Sequence, residues 1–401
     1  MTLNPDTVKN ILTLRYDSSQ KPILPKMEWK NLVENNIEPS TDIIEKSIQD
    51  TIRNQLGTNG TKNVSIALSG GVDSTLVLAS LRKTLPNIRI DAVSIKFANS
   101  VDETKSAAKI AEHFGANHHI IELDNYLSEL PKAISIIKLP FWDIHWYYVV
   151  KKAYTLSKYL ASGDGGDEVF GGYTFRYKKF LSLTTDNSTV LEKVKAYLEC
   201  HGRDRVPDQE MLFGHKTGFT WESIYDILIP YFDNNLPRLT QVLLADYNGK
   251  LLYNFSPVNT ALHRHFDMES ITPLLSTHLI SYVMPLPNKF KYDSQTNVGK
   301  LLLRVLLQKY HANSLISEEK LGFNVNTINL WHSHGKRLCE QYLLNSRIVA
   351  DGWISQDWID KYLNKTDLDV RYVNKFLGLL AFEVWYRLYI TNEIKETTTL
   401  D

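Results

Sequence analysis

"VSIALSGGVDSTLVLASL", Val64 to Leu81, changes character twice. Val64 to Leu68 is a short apolar run of strand type, whereas Thr75 to Leu81 repeats its apolar residues at helical spacing, so Ser69 to Ser74 is the turn between them. In an open parallel sheet, ligands collect outside the carboxyl ends of the strands, which makes this turn the first candidate site. Gly70 and Gly71 let the backbone come close to a ligand and point several N–H groups at an anion. Ser69 and Ser74 add hydroxyls, and the helix that follows offers an N-terminus that favours phosphate. Asp73 would repel phosphate oxygens unless a cation lay between them, and magnesium takes one or two carboxylates together with phosphate oxygens. The turn lacks the Gly-Lys-Ser/Thr of a Walker loop, so it does not suggest transfer of a terminal phosphoryl group.

Outward from this turn the pattern predicts a helix from Thr41 through Gln55, a helix ending at Lys83, strand Ile88 to Phe97, a helix from Glu103 to Phe114 and strand His118 to Leu123. Alternating strands and helices imply an α/β fold with a doubly wound parallel sheet. Residues 1–40, punctuated by "SSQKPILP" (Ser18 to Pro25), read as an extended N-terminal arm. Residues 41–401 read as one domain, with the sheet in about 41–180 and a mostly helical part in about 181–395.

Composition narrows the partners. The 401 residues are 43% hydrophobic, enough to build cores, and 45 basic residues balance 45 acidic ones, so nothing suggests a nucleic-acid track or a membrane surface. Cys200 and Cys339 are the two cysteines, too far apart for a C-x-x-C site, and point to a reducing, cytoplasmic setting. No stretch approaches the roughly 18 apolar residues of a membrane span. His118, His119, His263 and His265 lack companions at zinc spacing and read as ordinary structural histidines.

A second glycine-rich stretch, "SGDGGDEVFGGY" (Ser162 to Tyr173), gives the first one a context. "SGGVDS" resembles the pyrophosphate-binding loop of ATP pyrophosphatases, and "SGDGGDEVFGGY" resembles the second signature of the asparagine synthetase family. "EEKLGFNV" (Glu318 to Val325) and "LGLLAFEVWYRLYI" (Leu377 to Ile390) look like that family's Lys-x-Gly-Phe segment and closing helix. The resemblance implies an adenine-nucleotide α-hydrolase-like fold. It implies that Leu68 and Ile95 meet adenine through their backbones, that Ser69, Gly70, Gly71 and Ser74 form the pyrophosphate loop, and that Ser162 and Gly163 line the nucleotide. It makes Asp73 and Asp167 the magnesium ligands and Lys320 the cation that stabilises charge around the acyl-adenylate. Asp164 stands where the family usually has glutamate, and a carboxylate there suits a base or an ammonium binder. Glu269, in "DMESITPLL", matches the glutamate of the family's Glu-x-Arg-x-Pro-Phe-x-Asp pattern, with Ile271 and Ser276 replacing its arginine and aspartate. "FWDIHWYY" (Phe141 to Tyr148) reads either as core or as the lining of a bulkier acceptor pocket.

The implied function is an ATP-dependent amide-forming ligase that makes an acyl-adenylate from a carboxylate, aspartate first, and passes it ammonia. An adenylating enzyme for a sugar acid, a peptide or a secondary metabolite is the second reading, and a non-catalytic nucleotide-binding subunit is the third. Residue 2 is Thr2 rather than the cysteine nucleophile of the family's glutaminase half, and "LTLRYDSSQKPILPK" (Leu12 to Lys26) looks like the linker that follows such a half. Ammonia then comes free or from a separate glutaminase subunit, and a homodimer stays open.

Overall fold

The computed structural model describes residues 3–35, 37–57, 60–97, 100, 102–316 and 326–401. The arm expected to be extended begins as a helix, Pro5–Leu14 (α1), N-capped by the Asn4 side chain, which accepts from the Asp6 N–H at 2.9 Å. Val8, Ile11 and Leu12 fall at helical spacing and are buried against the C-terminal part of the chain, a short amphipathic face that the later prolines masked.

Thr41–Leu56 (α2), Asn63–Ala67 (β1), Val72–Thr84 (α3), Arg89–Phe97 (β2), Thr104–His113 (α4) and Asn117–Leu123 (β3) follow with nearly the expected bounds. Next come Leu130–Ile137 (α5), His145–Tyr154 (α6), Tyr159–Ala161 (β4) and Gly166–Phe170 (α7). Further on, the elements that matter for the site are Ser256–His265 (α8), Glu269–Ile271 (β5), Leu301–Lys309 (α9) and Val370–Tyr389 (α10).

The strands pair in parallel in the order β3-β2-β1-β4-β5. The chain winds outward from β1 in one direction and from β4 in the other, so β1 and β4 flank the point where the order reverses, and both glycine loops leave the sheet there. β5 comes from the stretch assigned to the helical part, so the division near residue 180 does not separate sheet from helix. Three residues are too short a run to show a strand period.

Alternation along β1 serves two cores. Val64, Ile66 and Leu68 join Ile44, Ile48 and Leu76 on one face, and Ala67 joins Val93, Leu160, Val149 and Phe376 on the other. Each fully buried Val, Leu, Ile or Phe side chain among them contributes about 1.5–3 kcal/mol. Trp142, Trp146, Tyr147 and Tyr148 are all buried in the second core, so the aromatic segment is core. α10 is held by Glu383, which accepts from Ser346 Oγ at 2.8 Å, the Arg347 N–H at 2.9 Å and the Ile348 N–H at 3.1 Å, and pairs with Arg387 at 2.6 Å. Among the described residues no helix is long and apolar enough to cross a membrane.

Candidate active site

The site begins where β1 stops. Gly70 takes a left-handed φ of 73°, which turns the chain from strand into α3 without the strain of a Cβ. No side chain caps α3 at Gly71, an arrangement that suits an oxyanion at the helix N-terminus. Ser69 and Ser74 stand with hydroxyls 3.2 Å apart, and Thr75 Oγ1 donates to the Gly71 carbonyl at 2.7 Å, so the turn is fastened from within.

The second loop leaves β4 and closes on the first. A Cβ on Gly163 would come within 2.6 Å of Asp73 Cβ, and one on Gly166 would overlap the Asp73 carboxylate. Glycine at 166 is therefore a condition for Asp73 to face α7. Asp167, in the first turn of α7, then lies across from Asp73, and a lysine ammonium sits between them: Lys300 Nζ is 2.8 Å from Asp167 Oδ1 and is also paired with Asp73 Oδ2. Lys300 is 7% exposed. Burial alone would lower its affinity for a proton, but the Asp167 and Asp73 charges reverse that and raise its pKa.

In the neighbouring carboxyls burial is not overcome. Burial lifts Asp164 to about 6, and the Asp73 charge adds to the lift, while hydrogen bonds from Ser162 and Asn259 hold it down. Asn259, on α8, donates to Asp164 Oδ2 at 2.6 Å and so orients it. Glu168 is also raised by burial and by the charge of Asp167, and it accepts from Tyr173 Oη at 2.5 Å. The donor set, two carboxylates of hard oxygen facing each other beside an anion-binding helix end, fits magnesium held partly by a ligand's phosphates.

Leu68 and Ile95 lie together at the carboxyl edge, on β1's exit and in β2. The Leu68 N–H donates to the Val93 carbonyl at 2.9 Å, and its carbonyl accepts from Ser94 Oγ at 2.6 Å. His118 Nε2 is 2.9 Å from that same hydroxyl, and burial lowers the His118 pKa. Ser162 is buried at the end of β4, its N–H donating to the Ile271 carbonyl at 3.0 Å.

Glu269 does not join these residues. It is exposed at the amino end of β5, in register with Tyr159, and its N–H donates to the Lys158 carbonyl at 2.9 Å, the opposite end of the sheet from the glycine loops. Strand direction is the reason: in a parallel sheet the first residue of a strand faces away from the carboxyl edge. Ile271 is buried in β5, and Ser276 Oγ caps the helix Thr277–Val283 by accepting from the Leu279 N–H at 3.4 Å. Lys320 lies outside the described residues. Lys300 and Asn259 are the members that the motifs did not reveal. A lysine directly before an apolar helix in "VGKLLLRVLL" is the only trace of the first.

The asparagine synthase family model matches residues 44–387. Asparagine synthetase [glutamine-hydrolyzing] 1 of Bacillus subtilis is 21% identical over 394 residues, covering 88% of this chain and 61% of that protein. Asparagine synthetase [glutamine-hydrolyzing] of Rattus norvegicus is 22% identical over 373 residues, covering 89% of this chain and 60% of that protein. A putative asparagine synthetase of Mycobacterium bovis is 27% identical over 165 residues, 40% of this chain and 25% of that one. The chain thus spans about three-fifths of the length of the relatives it matches throughout. With the family matched from α2 to α10 and both of its loop signatures meeting at one edge of the sheet, this chain belongs to the asparagine synthase family.

Proposed function

We propose that the chain is an ATP-dependent amide-forming ligase whose leading carboxylate substrate is aspartate. The observation that carries this is the meeting of Asp73 and Asp167 around one ammonium at the switch point of the sheet. ATP lies with adenine against the backbones of Leu68 and Ile95, and its phosphates lie on Ser69, Gly70, Gly71 and Ser74, with Ser162 and Gly163 along the nucleotide. Magnesium, when bound, would be held by Asp73 and Asp167 and would neutralise phosphate charge.

A carboxylate oxygen attacks the α-phosphorus, the bond to the bridging oxygen breaks, and pyrophosphate leaves an acyl-adenylate behind. Ammonia then attacks the acyl carbon, AMP departs, and the proton lost from nitrogen passes to Asp164, oriented by Asn259. Lys320 keeps its proposed role of stabilising charge at the adenylate. Glu269, exposed at the far end of β5, has no role in this scheme. The burial of Trp142, Trp146 and Tyr147 in the core removes the reason to favour a bulkier acceptor.

The test is pyrophosphate release from magnesium-ATP, aspartate and ammonium, with the amino-acid product identified by mass. Asparagine with stoichiometric AMP is expected. AMP formation that requires a different carboxylate would move the substrate, and ATP binding without pyrophosphate release would sink the ligase reading. Glutamine in place of ammonium, with and without an added glutaminase, identifies the nitrogen source.

A further inference from the structure

A cavity of about 350 Å³ opens between α1, the end of α5, the helical segment Tyr247–Phe255 and α10, and no residue of either glycine loop lines it. Its floor is apolar: Val8, Ile11, Ile137, Leu252, Phe382 and Trp385 line it, and none of them is more than 6% exposed. Its mouth is polar, lined by the exposed residues Asn4, Gln20, Lys21 and Lys138. Among the described residues that line the cavity there is no aspartate or glutamate, so its lining contributes two ammonium groups and no carboxylate.

The walls are fastened by contacts of their own. Asn248 accepts from the Met27 N–H at 2.9 Å and donates to the Met27 carbonyl at 2.8 Å, while Asn254 Nδ2 donates to the Arg15 carbonyl at 2.7 Å. The stretch that carries Gln20 and Lys21 is therefore pinned on both sides to the segment that supplies Leu252. Across the mouth, Lys138 takes a left-handed φ of 62°, its carbonyl accepts from Trp385 Nε1 at 2.9 Å, and its ammonium donates to Tyr389 Oη at 2.9 Å. Walls held in this way keep the apolar floor uncovered. Its volume falls in the range of small-molecule sites, roughly 300–1,000 Å³, which are likewise mostly apolar with a few placed polar groups.

We propose that this cavity binds an amphipathic small molecule with an anionic head, its apolar body on the floor and its negative charge at Lys21 and Lys138. Affinity comes from the body, because apolar surface leaves water on both ligand and protein. The exposed ammonium groups add less, and they select the sign of the head, since a cationic one would meet like charge at the mouth. A ligand placed here touches α1 and α10 together, so it stabilises the docking of the N-terminal helix on the C-terminal one. The proposal does not rest on the nucleotide reading, and either can fail without the other.

The probe is decanoate, titrated by calorimetry into the full chain below its micelle concentration, with decyltrimethylammonium as a probe of the same chain length and opposite charge. The wild type is expected to bind decanoate about tenfold more tightly than the cation. Lys21→Gln combined with Lys138→Gln alters two exposed side chains, and it should bring that preference to about twofold or less with the melting temperature near that of the wild type. A decanoate analogue carrying a diazirine on its chain locates the site without any variant: irradiation should label the peptides that hold Val8, Ile11, Phe382 and Trp385. Absence of decanoate binding, equal binding of the two probes, a preference that survives in the double variant, or labelling confined to other peptides each overturns the proposal.

Discussion

Two of the buried ionic clusters among the described residues are built on opposite rules. Beside the switch point, Lys300 pairs with Asp73 and Asp167, while Asp164 takes a hydrogen bond from Asn259 and Glu168 one from Tyr173. Under α1 and α6, three acids meet three bases: Arg15 pairs with Asp143 at 2.5 Å and Asp204 at 3.6 Å, Lys250 with Asp204 at 2.5 Å, and Arg176 with Asp246 at 3.4 Å. His201 and Tyr197 add contacts to Asp246 at 3.4 Å and 2.8 Å. In the balanced cluster burial is overcome and Asp143, Asp204 and Asp246 are all held below the usual carboxylate range by their partners. In the other, burial wins and Asp164 and Glu168 are pushed up. Among the described residues, the balanced cluster pairs its acids with bases, whereas perturbed carboxyls such as Asp164 and Glu168 are the kind that gather at functional sites.

The largest effect should come from breaking the balanced cluster. Asp204→Ala strands Lys250 and removes the more distant of the two acids beside Arg15, and is expected to cost about 3–5 kcal/mol in urea unfolding. Asp167→Asn should leave the melting temperature nearly unchanged and lower pyrophosphate release by about 10²–10³-fold, the reverse assignment of fold and function. Equal losses of stability and activity in both variants would dissolve the distinction between the clusters.

pH sharpens the contrast further. Asp164, with its folded value raised to about 6, binds a proton more readily in the folded chain than in the unfolded one. Its contribution therefore makes stability fall as pH rises from about 4 to about 6, and Asp164→Asn should recover about 1–3 kcal/mol at pH 7.5. Asp204 and Asp246 act with the opposite sign: their stabilisation is present above the unfolded carboxylate range and is lost as pH drops through their depressed folded values. Ammonia-dependent turnover should rise through pH 6 in the wild type as Asp164 ionises, and Asn259→Ala, which removes a hydrogen bond to the carboxylate, should move that limb upward. The smallest effect is Glu269→Gln, expected to change stability by less than about 0.5 kcal/mol and turnover by less than about twofold.

Much of this was legible from residue type. The Ser69 to Ser74 turn announces itself because a strand period gives way to a helix period across two glycines, and that alone located the carboxyl edge of β1. Asp73 stood out as a carboxylate in that turn and Asp167 through the resemblance of the second glycine loop, and the two meet at Lys300. Lys300 escaped because its meaning lies in partners far away in the chain; next to "LLLRVLL" it looks like any helix start. Glu269 was placed by its motif, which carries residue type but not which end of a strand faces the ligand. α1 was hidden by the prolines that follow it, although Val8, Ile11 and Leu12 already had the spacing of a buried face.

The lysine bridge also bears on how the chain reaches its final state. Lys300 and Asp73 are 227 positions apart, and the two glycine loops must already face each other before the ammonium has a place to go. Contacts of such long sequence separation form only after the intervening loops have closed, so the site should be among the last parts of the molecule to appear during folding. A ligand that recognises the bridged site would have no hold on earlier species. During refolding it should leave the early phases unchanged and act only on the final one, as a trap for the finished protein.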